Sequence, residues 1–203
     1  YSRNQLAIDH GHGATVYDTA GKAYIDFTSG IGVCSLGYAN EAWAKAIYDQ
    51  AMKGGHISNL FYTEPYAKLA SRLVPASGMA AAFFGNSGAE ANEGMIKTAR
   101  KYSYEKYGEG RANIFTIKNS IHARTFTTMK ATGQDHFHEF FFPFTEGFRY
   151  AEANNMDSLM EAAGDDVCGV MMELIQGEGG VNPLRQDYVQ AVGNLCAEKD
   201  WLL

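Results

Sequence analysis

The sequence predicts an α/β fold built on an open, mostly parallel, doubly wound sheet. Three observations carry that reading. From residue 80 onward, short apolar runs alternate with helix-forming segments, and parallel strands can be joined only by such crossovers. The stretch Phe83-Phe84-Gly85-Asn86-Ser87-Gly88-Ala89-Glu90 reads as a buried strand, a tight turn and a helix start. Polar and charged residues then gather just after the strands, where sheets of this kind hold their ligands.

The first thirty residues hold two short alternating segments, 14–17 and 23–27, joined by Asp18-Thr19-Ala20-Gly21-Lys22. This is a β-hairpin with a glycine-containing loop. Gly30-Ile31-Gly32-Val33 reads as a flexible connection. Asn40 is the N-cap of a helix running to about Lys53, with Trp43, Ala46, Ile47 and Ala51 near helical spacing. Gly54-Gly55 breaks it. A second helix starts near Glu64-Pro65, with proline at its first position, and is expected to end before Pro75.

The alternation follows. Strands are expected over 80–84, 112–117, around 139–142 and over 167–173, and helices over 89–107, near 124–131, near 156–163 and over 184–199. The strand-end loops are then 85–90, 118–124, 143–149 and 174–180. The aromatic run from Phe137 to Phe148 reads as a buried strand with its packing, and Lys97, Arg100 and Lys101 as a solvated helix face. The closing run Asp200-Trp201-Leu202-Leu203 looks like the start of a further strand, so a longer parent protein is expected.

With 203 residues, 46% hydrophobic and 20% charged, the chain is long enough to bury a sizeable core. A formal net charge of −6 offers no basic surface for nucleic acid. The three cysteines, Cys34, Cys168 and Cys196, are widely spaced. They suggest no disulfide framework and no metal site, and they fit a reducing compartment. No apolar run approaches a membrane span.

The turn at 85–90 is the first candidate site. The first turn of a helix exposes unpaired backbone N–H groups and the positive end of the helix dipole, which suits a phosphate. Gly85 and Gly88 let the backbone approach an anion, and the Ser87 hydroxyl adds a donor. An ordinary Ser-capped helix is equally open on spacing alone, since the turn has neither the Walker lysine nor the GxGxxG spacing. In the next loop, Asn119-Ser120-Ile121-His122-Ala123-Arg124-Thr125, Arg124 offers a planar fork for a carboxylate. A guanidinium at a helix start opposes the dipole, which favours an anion nearby. For His122 taken alone, the residues favour a satisfied structural histidine, with a ligand role as the alternative. In Glu173-Leu174-Ile175-Gln176-Gly177-Glu178-Gly179-Gly180, Glu173 ends a buried strand and needs a partner. Glu178 sits among glycines that let the loop fold tightly over a ligand, with a solvated turn as the alternative. His10 and His12 have no metal-like context.

Taken together, these segments resemble the class III pyridoxal-phosphate aminotransferases, and within them the acetylornithine subgroup, over essentially all 203 residues. The carriers are Gly21-Lys22-Ala23-Tyr24-Ile25-Asp26-Phe27, Ser29-Gly30-Ile31-Gly32-Val33, His56-Ile57-Ser58-Asn59-Leu60-Phe61, Asn86-Ser87-Gly88-Ala89-Glu90-Ala91-Asn92-Glu93, His122-Ala123-Arg124-Thr125 and the 173–180 loop. The resemblance implies a fold-type-I transferase, with residues 1–55 part of its small domain and 56–203 the first, incomplete part of its large cofactor-binding domain. It makes Ser87, Gly88 and Ala89 the cofactor phosphate cup, sets Ile121 and His122 beside the ring, and gives Glu173 the network around it. Arg124 becomes the grip on the substrate carboxylate. Glu178 becomes a gate that pairs with a second arginine and releases it for dicarboxylates.

Two residues depart from the pattern. Ile121 stands where Phe or Tyr is usual, and Ala123 where Gly is usual. An aliphatic side chain still covers a ring face but gives up an aromatic contact worth about 0.5–1.5 kcal/mol. No catalytic residue of the family has a match: the Asp for the pyridine nitrogen falls in the strand beginning at Leu202, and the Schiff-base Lys lies beyond Leu203. The 203-residue chain alone is therefore expected to be inactive.

For the full-length protein the resemblance implies a cytoplasmic, homodimeric, pyridoxal-5'-phosphate-dependent enzyme of arginine biosynthesis, with exposed loops such as Leu60-Phe61-Tyr62 at the dimer interface. It would move the terminal amino group of N2-acetyl-L-ornithine to 2-oxoglutarate. Ornithine, succinylornithine, succinyldiaminopimelate and 4-aminobutyrate are rival donors. A non-catalytic phosphate- or nucleotide-binding α/β domain is the reading from another class; it leaves the Arg124 and Glu178 loops without a purpose.

Overall fold

The computed structural model describes residues 3–203. The chain divides into two compact units, one up to Leu73 and one from Val74.

In the first unit β1 (Ile8–His12), β2 (Thr15–Asp18) and β3 (Ala23–Ile25) form an antiparallel sheet in that order. The expected hairpin is β2–β3, with Thr15 opposite Ile25 and Tyr17 opposite Ala23. Asp18 fixes the turn, its carboxylate accepting from the amides of Ala20 and Lys22 at 2.9 Å each. β1 has no alternating pattern to announce it; its backbone pairs with β2 and its His10 ring stacks on Tyr17 at 4.8 Å. The Gly30–Val33 connection is not loose. It is a one-turn segment, α1 (Ser29–Gly32), with Gly30 and Ile31 in the left-handed region. Asp26 anchors it by accepting from the amides of Thr28 and Ser29 and from the Tyr38 hydroxyl. α2 (Glu41–Lys53) starts as expected, with the Asn40 side chain accepting from the Trp43 amide at 2.9 Å. α3 (Glu64–Ser77) runs through Pro75 instead of stopping before it. Only the final turn lies beyond the proline, so its missing N–H removes a single intrahelical bond.

The second unit holds α4 (Gly88–Tyr107), β4 (Asn113–Ile117), α5 (Phe126–Ala131), a 3-10 turn (Asp135–Phe137), β5 (Phe148–Ala151), α6 (Met156–Glu161), β6 (Val167–Met171), the short pair β7 (Ile175–Gln176) and β8 (Asn182–Pro183), and α7 (Gln186–Lys199). The main sheet has the order β5-β4-β6 and is parallel throughout. Leu202 continues it through a parallel bridge to Gly169, where the closing apolar run announces a strand. Successive strand side chains point to opposite faces. Phe115, Ile117 and Val170 accordingly pack with Leu159 of α6 and with Tyr188 and Val192 of α7, while Ile114 and Cys168 pack with Ile96 and Ala99 of α4. Helices on both faces of a parallel sheet are the doubly wound arrangement expected from the sequence.

Other expectations fail in this unit. Residues 80–84 belong to no strand; the run is mostly alanine, a poor strand former, and Phe83 is exposed. The strand expected around 139–142 lies instead at 148–151, and Phe140, Phe141 and Phe142 are exposed. High β-propensity without a partner makes no strand, whereas Phe148-Arg149-Tyr150-Ala151 pairs with β4 and its Arg149 is neutralised by Asp166 at 2.5 Å. The segment 143–149 therefore enters β5 instead of leaving a strand, which removes it from the strand-end loops. Arg100 is also more than a solvated cation: it donates to the carbonyls of Ala112 and Glu146 and lies over the Phe148 ring.

Candidate active site

Three loops meet at the carboxyl end of the sheet, and side-chain hydrogen bonds tie them together. Ser87 is the N-cap of α4, extended at φ −155°, ψ 162°, with its hydroxyl oxygen accepting from the Glu90 amide at 3.2 Å. Its carbonyl accepts from the Ala91 amide. Gly88 and Ala89 come first in the helix, so their N–H groups have no helical acceptor. A Cβ on Gly88 would meet no atom within 4 Å, so there is room for an anion; at Gly85 it would meet the Glu90 side chain at 3.0 Å. Gly85 thus makes space for Glu90, whose carboxylate folds back onto the Asn86 amide.

The second loop leaves β4. The His122 carbonyl accepts from Asn92 Nδ2 at 2.9 Å, and Thr125, the N-cap of α5, donates to Glu93 at 2.6 Å. Both partners lie one turn into α4, so this helix holds the loop directly. The His122 ring is buried, its Nε2 has no hydrogen-bond partner, and burial pushes its pKa down to about 4. It is a neutral imidazole with a polar atom to spare. Ala123 adopts a φ of 93°, the left-handed geometry that glycine accepts without strain. Arg124 is exposed, its guanidinium carbon 5.3 Å from the centre of the Phe137 ring.

The third loop leaves β6. Glu173 is not a stray buried charge: its carboxylate accepts from the Ile121 amide at 2.8 Å and from the Gly177 amide at 3.2 Å. Gln176, 2% exposed, donates to the Lys118 carbonyl at 2.7 Å. Gly179 passes so close that a Cβ would meet the Asn119 carbonyl at 2.4 Å. Glu178 is exposed on this loop. Ser87, Gly88, Ala89, Ile121, His122, Arg124, Glu173 and Glu178 thus fall on three joined loops at one end of the sheet. Sequence reasoning assigned no role to Asn92, Glu93 or Gln176, the residues that do much of the joining. The one signal available was that Asn92 and Glu93 are polar one turn after Gly88.

A cleft of about 680 Å³ opens at the other, amino-terminal end of the strands, beside Arg111, Asp165 and Lys199. Arg111 is taken up there by the carbonyls of Val167, Lys199 and Asp200, so its guanidinium is already engaged by backbone. Among the described residues no cluster of His, Cys, Asp or Glu could hold a metal ion, and no helix is long and apolar enough to cross a membrane.

The family model "Aminotransferase class-III" matches residues 1–203. The chain belongs to this family. The acetylornithine aminotransferase of Haemophilus ducreyi is 52% identical to it over 100% of this chain and 52% of that protein. The solved N-acetylornithine aminotransferase of Stenotrophomonas maltophilia is 36% identical, with a TM-score of 0.81, over 100% of this chain and 50% of that one. An ornithine aminotransferase of Toxoplasma gondii, whose structure is described as having partial occupancy of PLP at its active site, is 28% identical, with a TM-score of 0.90, over 99% and 49%. The chain spans about half the length of the curated relatives it matches. For a class III aminotransferase the cofactor is pyridoxal 5'-phosphate, and the site fits its phosphate on two counts. The first amides of a serine-capped helix have no helical acceptor, and a Cβ on Gly88 would meet no atom within 4 Å.

Proposed function

We propose that the full-length protein is a pyridoxal-phosphate-dependent aminotransferase that moves the terminal amino group of N2-acetyl-L-ornithine to 2-oxoglutarate, as a cytoplasmic homodimer serving arginine biosynthesis. One observation carries the reading: the Ser87 turn, the Arg124 loop and the Glu173–Gly180 loop are joined at one end of the sheet. The names of the relatives support the choice of donor.

In this reading the Ser87 hydroxyl and the amides of Gly88 and Ala89 hold the cofactor phosphate at the positive end of the α4 dipole. Ile121 covers one face of the ring, and Glu173 fixes Ile121 by its amide. His122 stays neutral and offers Nε2 to a polar group of the cofactor. The bound cofactor supplies a carbonyl that carries the amino group and a ring that takes up electrons. Arg124 grips the donor's α-carboxylate through two parallel N–H bonds, which leaves the terminal amine as the end presented to the chemistry. Glu178 holds the second arginine when the acetylated donor is bound and frees it for the dicarboxylate acceptor. Residues 1–55 belong to the small domain of the whole enzyme and 56–203 to its large one.

The test is kcat/KM of the full-length protein for N2-acetylornithine, ornithine, succinylornithine, succinyldiaminopimelate and 4-aminobutyrate. Acetylornithine should lead. A preference for unacetylated ornithine overturns the donor assignment, and no transfer from any of these amines overturns the activity.

A further inference from the structure

Arg124 has a ring beneath it. Its guanidinium carbon lies 5.3 Å from the centre of Phe137, within reach of a cation–π contact. Phe137 ends the 3-10 turn Asp135–Phe137, and the residues leading into that turn are fastened to the loop that carries Arg124. The Asn119 amide donates to the Gly133 carbonyl at 2.8 Å, the Gly133 amide to the Ser120 carbonyl at 3.2 Å, and Gln134 Nε2 to the Ser120 carbonyl at 3.2 Å. On the far side the His138 ring meets the Met129 carbonyl at 2.9 Å, while His136 lies against Phe137 with ring centres 4.1 Å apart. The ring is half-buried and held on either side, whereas Arg124 is exposed on a long, flexible stem.

An arginine that closes on a carboxylate gives up rotamer freedom, and that loss weakens binding. A ring that already supports one face of the guanidinium reduces the loss, because the contact engages the face of the fork and not its N–H edges. We propose that Phe137 is a positioning residue for the substrate carboxylate, acting through Arg124. This rests on the reading of Arg124 given under the proposed function.

The experiment uses the full-length, cofactor-loaded enzyme. Phe137→Met keeps apolar bulk but removes the π face, and Phe137→Trp restores one. Two quantities are read: KM and kcat for N2-acetylornithine, and the calorimetric Kd of N2-acetyl-L-alanine, which has the acylated α-carboxylate but no amine to transfer. Phe137→Met should raise both KM and Kd about fivefold with kcat within about twofold, as expected for the loss of one cation–π contact. Phe137→Trp should return both to near the parent values. In an Arg124→Gln background, Phe137→Met should change neither. If Arg124→Gln weakens binding and Phe137→Met does not, this inference falls and the Arg124 reading stands. If Phe137→Met costs the same with and without Arg124, the ring is merely structural and the inference falls. If Arg124→Gln changes neither KM nor Kd, both fall together.

Discussion

Ala123 holds a φ of 93°, where the Cβ of an L-residue crowds the backbone at a cost of roughly 1–2 kcal/mol. Hydrogen bonds at positions 122 and 125 leave the segment little freedom to relax: the His122 amide donates to Thr132 Oγ1 at 2.9 Å and the Thr125 amide to Thr128 Oγ1 at 3.1 Å. Ala123→Gly should therefore stabilise the chain by about 0.5–1 kcal/mol, after subtracting the extra freedom glycine gains when unfolded. An unchanged or lower urea midpoint would show that any strain there is no larger than the freedom glycine gains when unfolded. His122 makes a second prediction. Its folded pKa of about 4 lies below the ordinary histidine value because burial disfavours the cation. Between pH 6.5 and 4 the unfolded chain then binds the proton more readily than the folded one, so stability falls as the pH drops through this window. From pH 7 to 5 the loss should be about 2 kcal/mol. His122→Asn, which cannot titrate, should flatten that part of the profile; parallel urea-unfolding curves for the two proteins at pH 7 and 5 would sink the argument.

At the scale of elements, the site depends on loops packed backbone to backbone. The sharpest probe is a pair of glycines two residues apart. A Cβ at Gly179 would meet the Asn119 carbonyl at 2.4 Å, and one at Gly177 would meet nothing within 4 Å. Gly179→Ala should force the third loop off the second and cost about 1–3 kcal/mol, whereas Gly177→Ala should stay within about 0.5 kcal/mol of the parent. Equal effects in a thermal melt would mean that the loops are not clamped. These contacts also mark the limit of what was legible in advance. Ser87, Asn40 and the β2–β3 hairpin were readable because capping and turn chemistry are local. In the sheet, β4, β6 and the Leu202 bridge were readable from the alternation, whereas the strands expected over 80–84 and around 139–142 were not where the pattern put them. Ile121, which Glu173 holds, and Lys118, which Gln176 holds, lie 52 and 58 residues away, and no local pattern announces a partner at that distance. The aromatic run misled for the same reason: propensity says which residues suit a strand, but whether β4 had a free edge for them was decided by Phe148-Arg149-Tyr150-Ala151.

Across the whole molecule, burial is uneven. Among the described residues, Val16 is the only buried hydrophobic before Ile96; the remainder of the core lies in the second unit. α2 and α3 bury no residue and span 13 and 14 residues, a length at which an isolated helix is marginal in water. Their apolar residues Trp43, Ile47, Leu69 and Leu73 are exposed, so tertiary packing adds little to them in this chain. β4, β6 and α7, by contrast, share a core in which Phe115, Ile117, Val167 and Val192 are 0% exposed, and their amides should exchange only when that core opens. Hydrogen exchange on the 203-residue chain should therefore find the amides of α2 and α3 at least about 100-fold less protected than those of β4 and β6, a gap of about 2.7 kcal/mol. In the full-length protein the gap should narrow, as expected where further chain or a second copy covers those stripes. Equal protection of α2 and β4 in the 203-residue chain would mean that the first unit is stabilised by something other than apolar burial. A gap of the same size in the full-length protein would mean that the stripes on α2 and α3 stay in water, and would remove them from the proposed dimer.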